Sequence, residues 1–223
     1  MELLVFGHGG ARVLVFPTSM GRFYEWEDRG MVGALGHHVA SGWLQLFCVD
    51  SIDAESWYAR WKHPAERAAR QLQYHEYVRA EVLPFMWHRN ATPFTILTGA
   101  SFGAYHAVNF AFHHPELVNR VLGMSGLYNI KELTGGYSDH SVYMNDPSHF
   151  VQHEGDGRWF EAMSRMNIIL SIGRDDPHRE DTEHLSRALW HRGIWNALRI
   201  WDGWAHDWPW WREMVVRYIG GND

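Results

Sequence analysis

Seven short apolar runs limit what this chain can fold into. They are Leu3–Phe6, Val13–Phe16, Leu44–Val49, Phe94–Leu97, Val121–Met124, Ile168–Ile172 and Leu198–Trp201. A sheet with one wet face would alternate polar and apolar residues along each strand. These runs are mostly continuous, the pattern of strands buried on both faces of a parallel sheet. The first two lie close together around Gly9-Gly10, which predicts an antiparallel hairpin at the sheet edge.

The stretches between the runs read as helices. Pro64 to about Trp87 has Pro in its first turn and is rich in Ala, Arg, Gln and Glu. Gly103–His113 is small and apolar, as a buried helix should be. Thr182–Arg192 carries Leu185, Ala188 and Leu189 at helical spacing. Pro209–Ile219 follows Asp207, a cap residue by type. Strands alternating with helices imply an α/β architecture: a mostly parallel central sheet, helices on both faces and right-handed crossovers. The 223 residues contain no linker, repeat or low-complexity tract, so one domain over 1–223 is expected. The segment 128–160 is too long and polar for a plain connection, and is expected to cap a site.

Charge and cysteine content narrow the function classes. The formal net charge is −6 and Lys and Arg are scattered, so no basic face for nucleic acid is expected. Cys48 is the only cysteine, which precludes an internal disulfide and a thiolate metal cluster. The start lacks a basic n-region, and no stretch approaches the ~20 apolar residues of a membrane span. A cytoplasmic protein is expected, free of membrane, in which the sequon Asn90-Ala91-Thr92 is a chance match. The 13 Trp exceed what a core commonly holds, so some are expected to bound an apolar cleft.

In open α/β sheets, chemistry sits in the loops at the carboxyl ends of the strands. After Phe94–Thr98 comes Gly99-Ala100-Ser101-Phe102-Gly103, a Gly-x-Ser-x-Gly pattern at a strand end that opens a helix. A sharp turn there would expose the Ser101 hydroxyl in strained backbone geometry, and residues two positions either side would need to be Gly. The helix N-terminus favours developing negative charge, and the Phe102 N–H becomes a candidate oxyanion donor. Ser101 is the candidate nucleophile.

A serine nucleophile needs a positioned base. His206, in Asp202-Gly203-Trp204-Ala205-His206-Asp207, follows the last apolar run and precedes the last helix. His106, His113 and His114 lie in or just past the helix after Ser101, where a packed or surface histidine is expected. The carboxylate that orients the base should follow the preceding strand. Gly173-Arg174-Asp175-Asp176 follows Ile168–Ile172 and offers two candidates. Asp176, three after Gly173, is preferred, with Asp175 the alternative. The order Ser101, Asp176, His206 is that of α/β hydrolases. The second oxyanion donor should follow an early strand. The Ser19 N–H in Pro17-Thr18-Ser19-Met20-Gly21 is the candidate, with Met20 as alternative.

The elbow Gly99–Tyr105, running on to His114-Pro115-Glu116-Leu117, resembles that of the esterase family that includes esterase D (S-formylglutathione hydrolase), feruloyl and acetyl-xylan esterases, enterochelin esterases and the antigen 85 mycolyltransferases. The segment His206-Asp207-Trp208-Pro209-Trp210-Trp211 is similar to that family's His-x-Trp-x-x-Trp signature. The resemblance implies the α/β-hydrolase fold, the triad and oxyanion assignments above, an acyl-enzyme mechanism, a small-molecule ester substrate and no cofactor. The chain departs from the family at Ala104, where a further Gly is frequent, at Pro17-Thr18-Ser19, which replaces a Gly-containing loop, and in its short length.

Other constellations are weaker. His178-Arg179-Glu180-Asp181 and Glu183-His184 lack the i, i+4 His pair around Glu of a zinc helix, and read as a solvated helix start. No phosphate-loop or dinucleotide pattern occurs. Trp57, Tyr58 and Trp61 follow the third run, and Trp204 lies beside His206. Trp57, Tyr58 and Trp204 are candidates for a substrate pocket, with core packing the alternative for the first two. An acyltransferase using the same triad, or a binding protein on this scaffold, are the competing functions. The sequence carries no signal for oligomeric state.

Overall fold

The computed structural model describes residues 1–221. Seven strands form one sheet: β1 Leu3–Phe6, β2 Ala11–Phe16, β3 Leu44–Val49, β4 Thr95–Ala100, β5 Arg120–Met124, β6 Asn167–Gly173 and β7 Ala197–Trp201. Their spatial order is β1-β3-β2-β4-β5-β6-β7. All neighbours are parallel except β1, which runs antiparallel to β3. The edge strand is antiparallel as expected, but the predicted hairpin is corrected. β3 lies between β1 and β2, pairing Leu3 with Val49 on one side and Val15 with Cys48 on the other. Gly10 (φ 82°) instead lets its backbone approach Trp43, where any Cβ would lie 2.1 Å from the Trp43 carbonyl. The glycines thus make a turn between β1 and β2 without pairing the two strands.

The continuous apolar runs are explained by cover on both faces. Leu14, Phe16, Phe47, Leu97 and Val121 point into one core; Val13, Val15, Leu46, Ile96 and Leu122 point into the other. Each is essentially fully buried, worth about 1.5–3 kcal/mol apiece by area. The second core is closed by three short helices, α1 Glu25–Asp28, α2 Met31–Ala34 and α3 Gly36–Ala40, and by the last helix. The first is closed by α4 Pro64–Tyr77, α5 Leu83–Arg89 and α6 Phe102–His113. A π-helical turn, Val78–Val82, joins α4 to α5. It lies where Pro84 withdraws an N–H from the ladder, so the predicted helix runs on with its register shifted.

The segment 128–160 folds into short helices: α7 Lys131–Thr134, α8 His140–Met144, α9 Pro147–Phe150 and the start of α10 Gly157–Arg165. Side-chain bonds tie it down. The Tyr105 hydroxyl donates to the Asn145 carbonyl (2.9 Å), and the Trp159 indole donates to the Phe112 carbonyl (2.7 Å). The Tyr128 and Asn129 N–H groups both donate to Asp181 of α11 Arg179–His191. The segment therefore lies along α6 and α11, and its Ile130 and Val142 pack with Phe102. The last helix, α12 Trp208–Tyr218, is capped by Asp207, whose side chain accepts from the Trp208 N–H (2.7 Å).

β2 leads outward to β3 on one side, while β4 leads to β5 on the other. The loops after β2 and β4 therefore diverge, and open a crevice at their carboxyl ends.

Candidate active site

Ser101 occupies that crevice. Its φ is 54° and ψ is −122°, a backbone conformation that costs a non-glycine residue of order 1–3 kcal/mol. The turn is held by its flanking glycines. A Cβ on Gly99 would lie 2.3 Å from the Gly103 carbonyl carbon, and one on Gly103 would lie 2.4 Å from the Phe16 carbonyl oxygen. The backbone thus folds tightly on itself and on the end of β2. The strand–turn–helix context required for the elbow is present, with α6 starting at Phe102. The Phe102 N–H, first in that helix, has no acceptor within it.

His206 bridges Ser101 and Asp176. Its Nε2 is 3.1 Å from Ser101 Oγ, and its Nδ1 is 2.7 Å from Asp176 Oδ2. The Asp176 side chain is fully buried, and its other oxygen accepts the His178 N–H at 2.9 Å. A buried carboxylate with both oxygens engaged can hold the imidazole as the Nδ1–H tautomer, leaving Nε2 free to accept the serine proton. Asp175 is exposed, and its N–H donates to the Gly203 carbonyl. Sequence offset and geometry favour the same residue.

The His206 backbone has its own support. Ala205 (φ 45°) offers its carbonyl to the Ser125 hydroxyl at 3.0 Å, and the Trp211 indole donates to that same hydroxyl at 3.0 Å. The Trp211 ring also meets His206 edge-on, at 5.3 Å between centroids, and Trp204 stacks on it at 5.6 Å. Sequence reasoning missed Ser125; its one available signal was a serine directly after β5. Met20, Ser101, Ser125 and Ala205 are the non-glycine residues with positive φ among the described residues, and all four belong to this site.

The loop after β2 lies against the elbow, since the Pro17 carbonyl also limits Gly103. The Met20 N–H is spent on Asp53 Oδ2 (2.8 Å), so the alternative donor is corrected. The Ser19 hydroxyl accepts from Tyr58, whose ring lies edge-on to Phe102 at 5.3 Å. Burial pushes the Tyr58 hydroxyl pKa up, which keeps it a donor. The pocket candidates divide. Trp204 is about half exposed beside His206, and Tyr58 is partly exposed. Trp57 is fully buried in a cluster with Tyr105, Ile130 and Val142, and its carbonyl accepts from Arg67, so it packs in the core rather than lining an open cleft. His106 is buried in the core face of α6, and His113, partly buried at the end of that helix, lies 2.6 Å from the Met144 carbonyl. Among the described residues no group of three or more His, Cys, Asp or Glu is placed to hold a metal ion. Glu183 is paired with Arg179 and Arg187. No helix among these residues is long and apolar enough to cross a membrane.

Comparisons with known proteins bear on the family and the fold. The model of the family described as "Putative esterase" matches residues 44–218. A ferulic acid esterase superposes with a TM-score of 0.75 at 19% identity, covering 97% of this chain and 90% of its own. An S-formylglutathione hydrolase from Agrobacterium tumefaciens gives 0.72 at 15% identity, covering 98% and 87%. MPT51 of Mycobacterium tuberculosis gives 0.61 at 15% identity, covering 98% and 90%. At such identities the likeness shows the fold. No curated protein matches the chain in sequence.

Proposed function

The chain belongs to this esterase family of α/β hydrolases, and within it we propose that Ser101 cleaves a small-molecule carboxylic ester through an acyl-enzyme. The observation that carries this reading is the position of His206, within hydrogen-bonding distance of Ser101 Oγ and of buried Asp176 at once. His206 takes the Ser101 proton as the hydroxyl attacks the ester carbonyl. The tetrahedral oxyanion is held by the Phe102 and Ser19 N–H groups, aided by the N-terminus of the 12-residue helix α6. His206 then returns the proton to the leaving alcohol, and later draws one from the water that releases the acid. Asp176 holds the imidazole in the required tautomer throughout, and no cofactor enters the scheme.

The test is hydrolysis of short- and long-chain nitrophenyl esters by wild type and Ser101→Ala. Loss of the serine should lower kcat by roughly 10⁶-fold. Equal rates in the two proteins would overturn the assignment.

A further inference from the structure

Three consecutive residues of the loop after β2 are gripped by side chains from elsewhere. The Thr18 N–H and hydroxyl both donate to the Glu25 carboxylate, at 2.8 and 2.7 Å. The Ser19 hydroxyl accepts from Tyr58 at 2.7 Å. The Met20 N–H donates to Asp53 Oδ2 at 2.8 Å, with Met20 held at a φ of 60°. Among the described residues, the backbone N–H left without an acceptor in Thr18–Met20 is that of Ser19.

Asp53 is itself fully buried, and lies outside the Ser101–His206–Asp176 chain. Its second oxygen lies 2.8 Å from Nε2 of His106, which is equally buried on α6, five residues after Ser101. His106 Nδ1 is 3.2 Å from Gln71 Nε2. With the Gln71 amide as the donor, His106 is the Nε2–H tautomer and donates to Asp53. A carboxylate is costly to bury unless its oxygens are hydrogen-bonded. This one is engaged on both, by the helix that carries the nucleophile and by the loop opposite it.

We propose that Asp53, held by His106, and Glu25 are positioning residues that set the loop so that the Ser19 N–H is the second oxyanion donor. This rests on the reading of Ser101 as nucleophile. Neither carboxylate touches substrate. They act by withdrawing the two neighbouring N–H groups and locking the left-handed turn at Met20, so the donor needs no reorganisation when charge develops. His106 ties the clamp to α6, so donor and nucleophile share one rigid unit.

Amide variants separate positioning from charge. In Asp53→Asn, the side-chain oxygen can still accept from Met20. Its NH₂ can donate to His106 Nε2, with the imidazole proton moved to Nδ1 and directed at Gln71 Oε1, an atom with no partner in the native arrangement. Glu25→Gln can likewise accept from the Thr18 N–H and donate to its hydroxyl. Alanine at either position removes the clamp.

The experiment is ester turnover by wild type, Ser101→Ala, Asp53→Ala, Asp53→Asn, Glu25→Ala and Glu25→Gln. Each enzyme is normalised to folded protein by circular dichroism. Asp53→Ala should lower kcat by about 10²-fold and Glu25→Ala by about 10-fold, with KM little changed. Both amide variants should stay within about threefold of wild type. A role in folding alone would lower the folded fraction and leave kcat per folded molecule intact; that result, in both alanine variants, overturns the proposal. If Asp53→Ala does not fold, Glu25→Ala, at a partly exposed site, decides it. Wild type and Ser101→Ala with equal turnover would instead remove the nucleophile assignment, a separate failure.

Discussion

Asp175 and Asp176 are adjacent in the chain and opposite in environment: the second is buried 2.7 Å from His206 Nδ1, the first is exposed to solvent. The difference follows from the turn after β6, where the Asp175 N–H is drawn to the Gly203 carbonyl and the Asp176 N–H to that of Gly173. Asp176→Asn should lower kcat by roughly 10⁴-fold, because the amide permits the wrong imidazole tautomer. Asp175→Asn should change it by no more than about twofold. Steady-state ester hydrolysis of the two variants checks both. The reverse ranking would exchange the assignments.

Gly103→Ala should damage the elbow more than its size suggests. The added carbon would lie 2.4 and 2.6 Å from two backbone oxygens, of Phe16 and Pro17, neither of which can swing aside as a side chain could. Overpacking of this kind costs about 1–3 kcal/mol. The loop after β2 would shift with it, so activity should fall along with stability. Urea unfolding and turnover, measured on one preparation, check both expectations. A variant of wild-type stability would contradict this close approach.

Ser125→Ala tests the support of the His206 backbone. It leaves the buried Trp211 indole N–H without its acceptor, at a cost of about 1–3 kcal/mol. It also releases the Ala205 carbonyl, next to His206 in the chain. Lowered stability with a reduced kcat is expected. A stable variant with native kcat would show that Ala205 holds its strained conformation unaided.

Acid should unfold the protein through its buried histidines. Burial holds His75 well below the ordinary imidazole range and brings His113 down to about 4, the latter with its Nε2 2.6 Å from the Met144 carbonyl. Both are neutral when folded, whereas the unfolded chain protonates them near 6.5. Their stabilising contribution is therefore complete above about 6.5, and is lost as pH falls toward 4. For His113 alone the loss is about 3 kcal/mol across that window. Asp146 opposes it: burial raises its carboxyl to about 6, so its contribution is favourable at low pH and is lost as pH rises. With two histidines against one carboxyl, stability should fall from pH 6.5 to 4.5. Denaturant midpoints across that range check the sign, and His113→Gln should flatten the slope.

The sheet was legible because both faces of the strands are buried, and Ser101, Asp176 and His206, which the fold brings together, could be singled out because each follows a strand end. Pairing was less legible. Nothing local tells β1 that its partner is β3, 38 or more residues away, rather than β2 across a glycine turn. The helices α1–α3 and α7–α10 escaped notice because most are too short to show a period. Asp53, Glu25 and Ser125 were invisible for a different reason. Asp53 and Ser125 act on backbone groups 33 and 80 residues away, and Glu25 reaches back seven residues to Thr18 across an irregular loop; such bonds leave no spacing to read. Trp57 shows the limit of composition, since it leaves an aromatic residue open between cleft and core, and only the fold puts it wholly in the core.

The four left-handed residues around the site have a consequence for anyone engineering this scaffold. Glycine at Met20 or Ala205 would adopt the native backbone with less steric cost, so such changes offer a route to a higher melting temperature. The same backbone freedom would slacken the turns that aim the Ser19 N–H and the His206 ring. A thermostability screen run without an activity assay would therefore reward the dismantling of the enzyme. The same positions, left alone, mark where this chain trades robustness for aim.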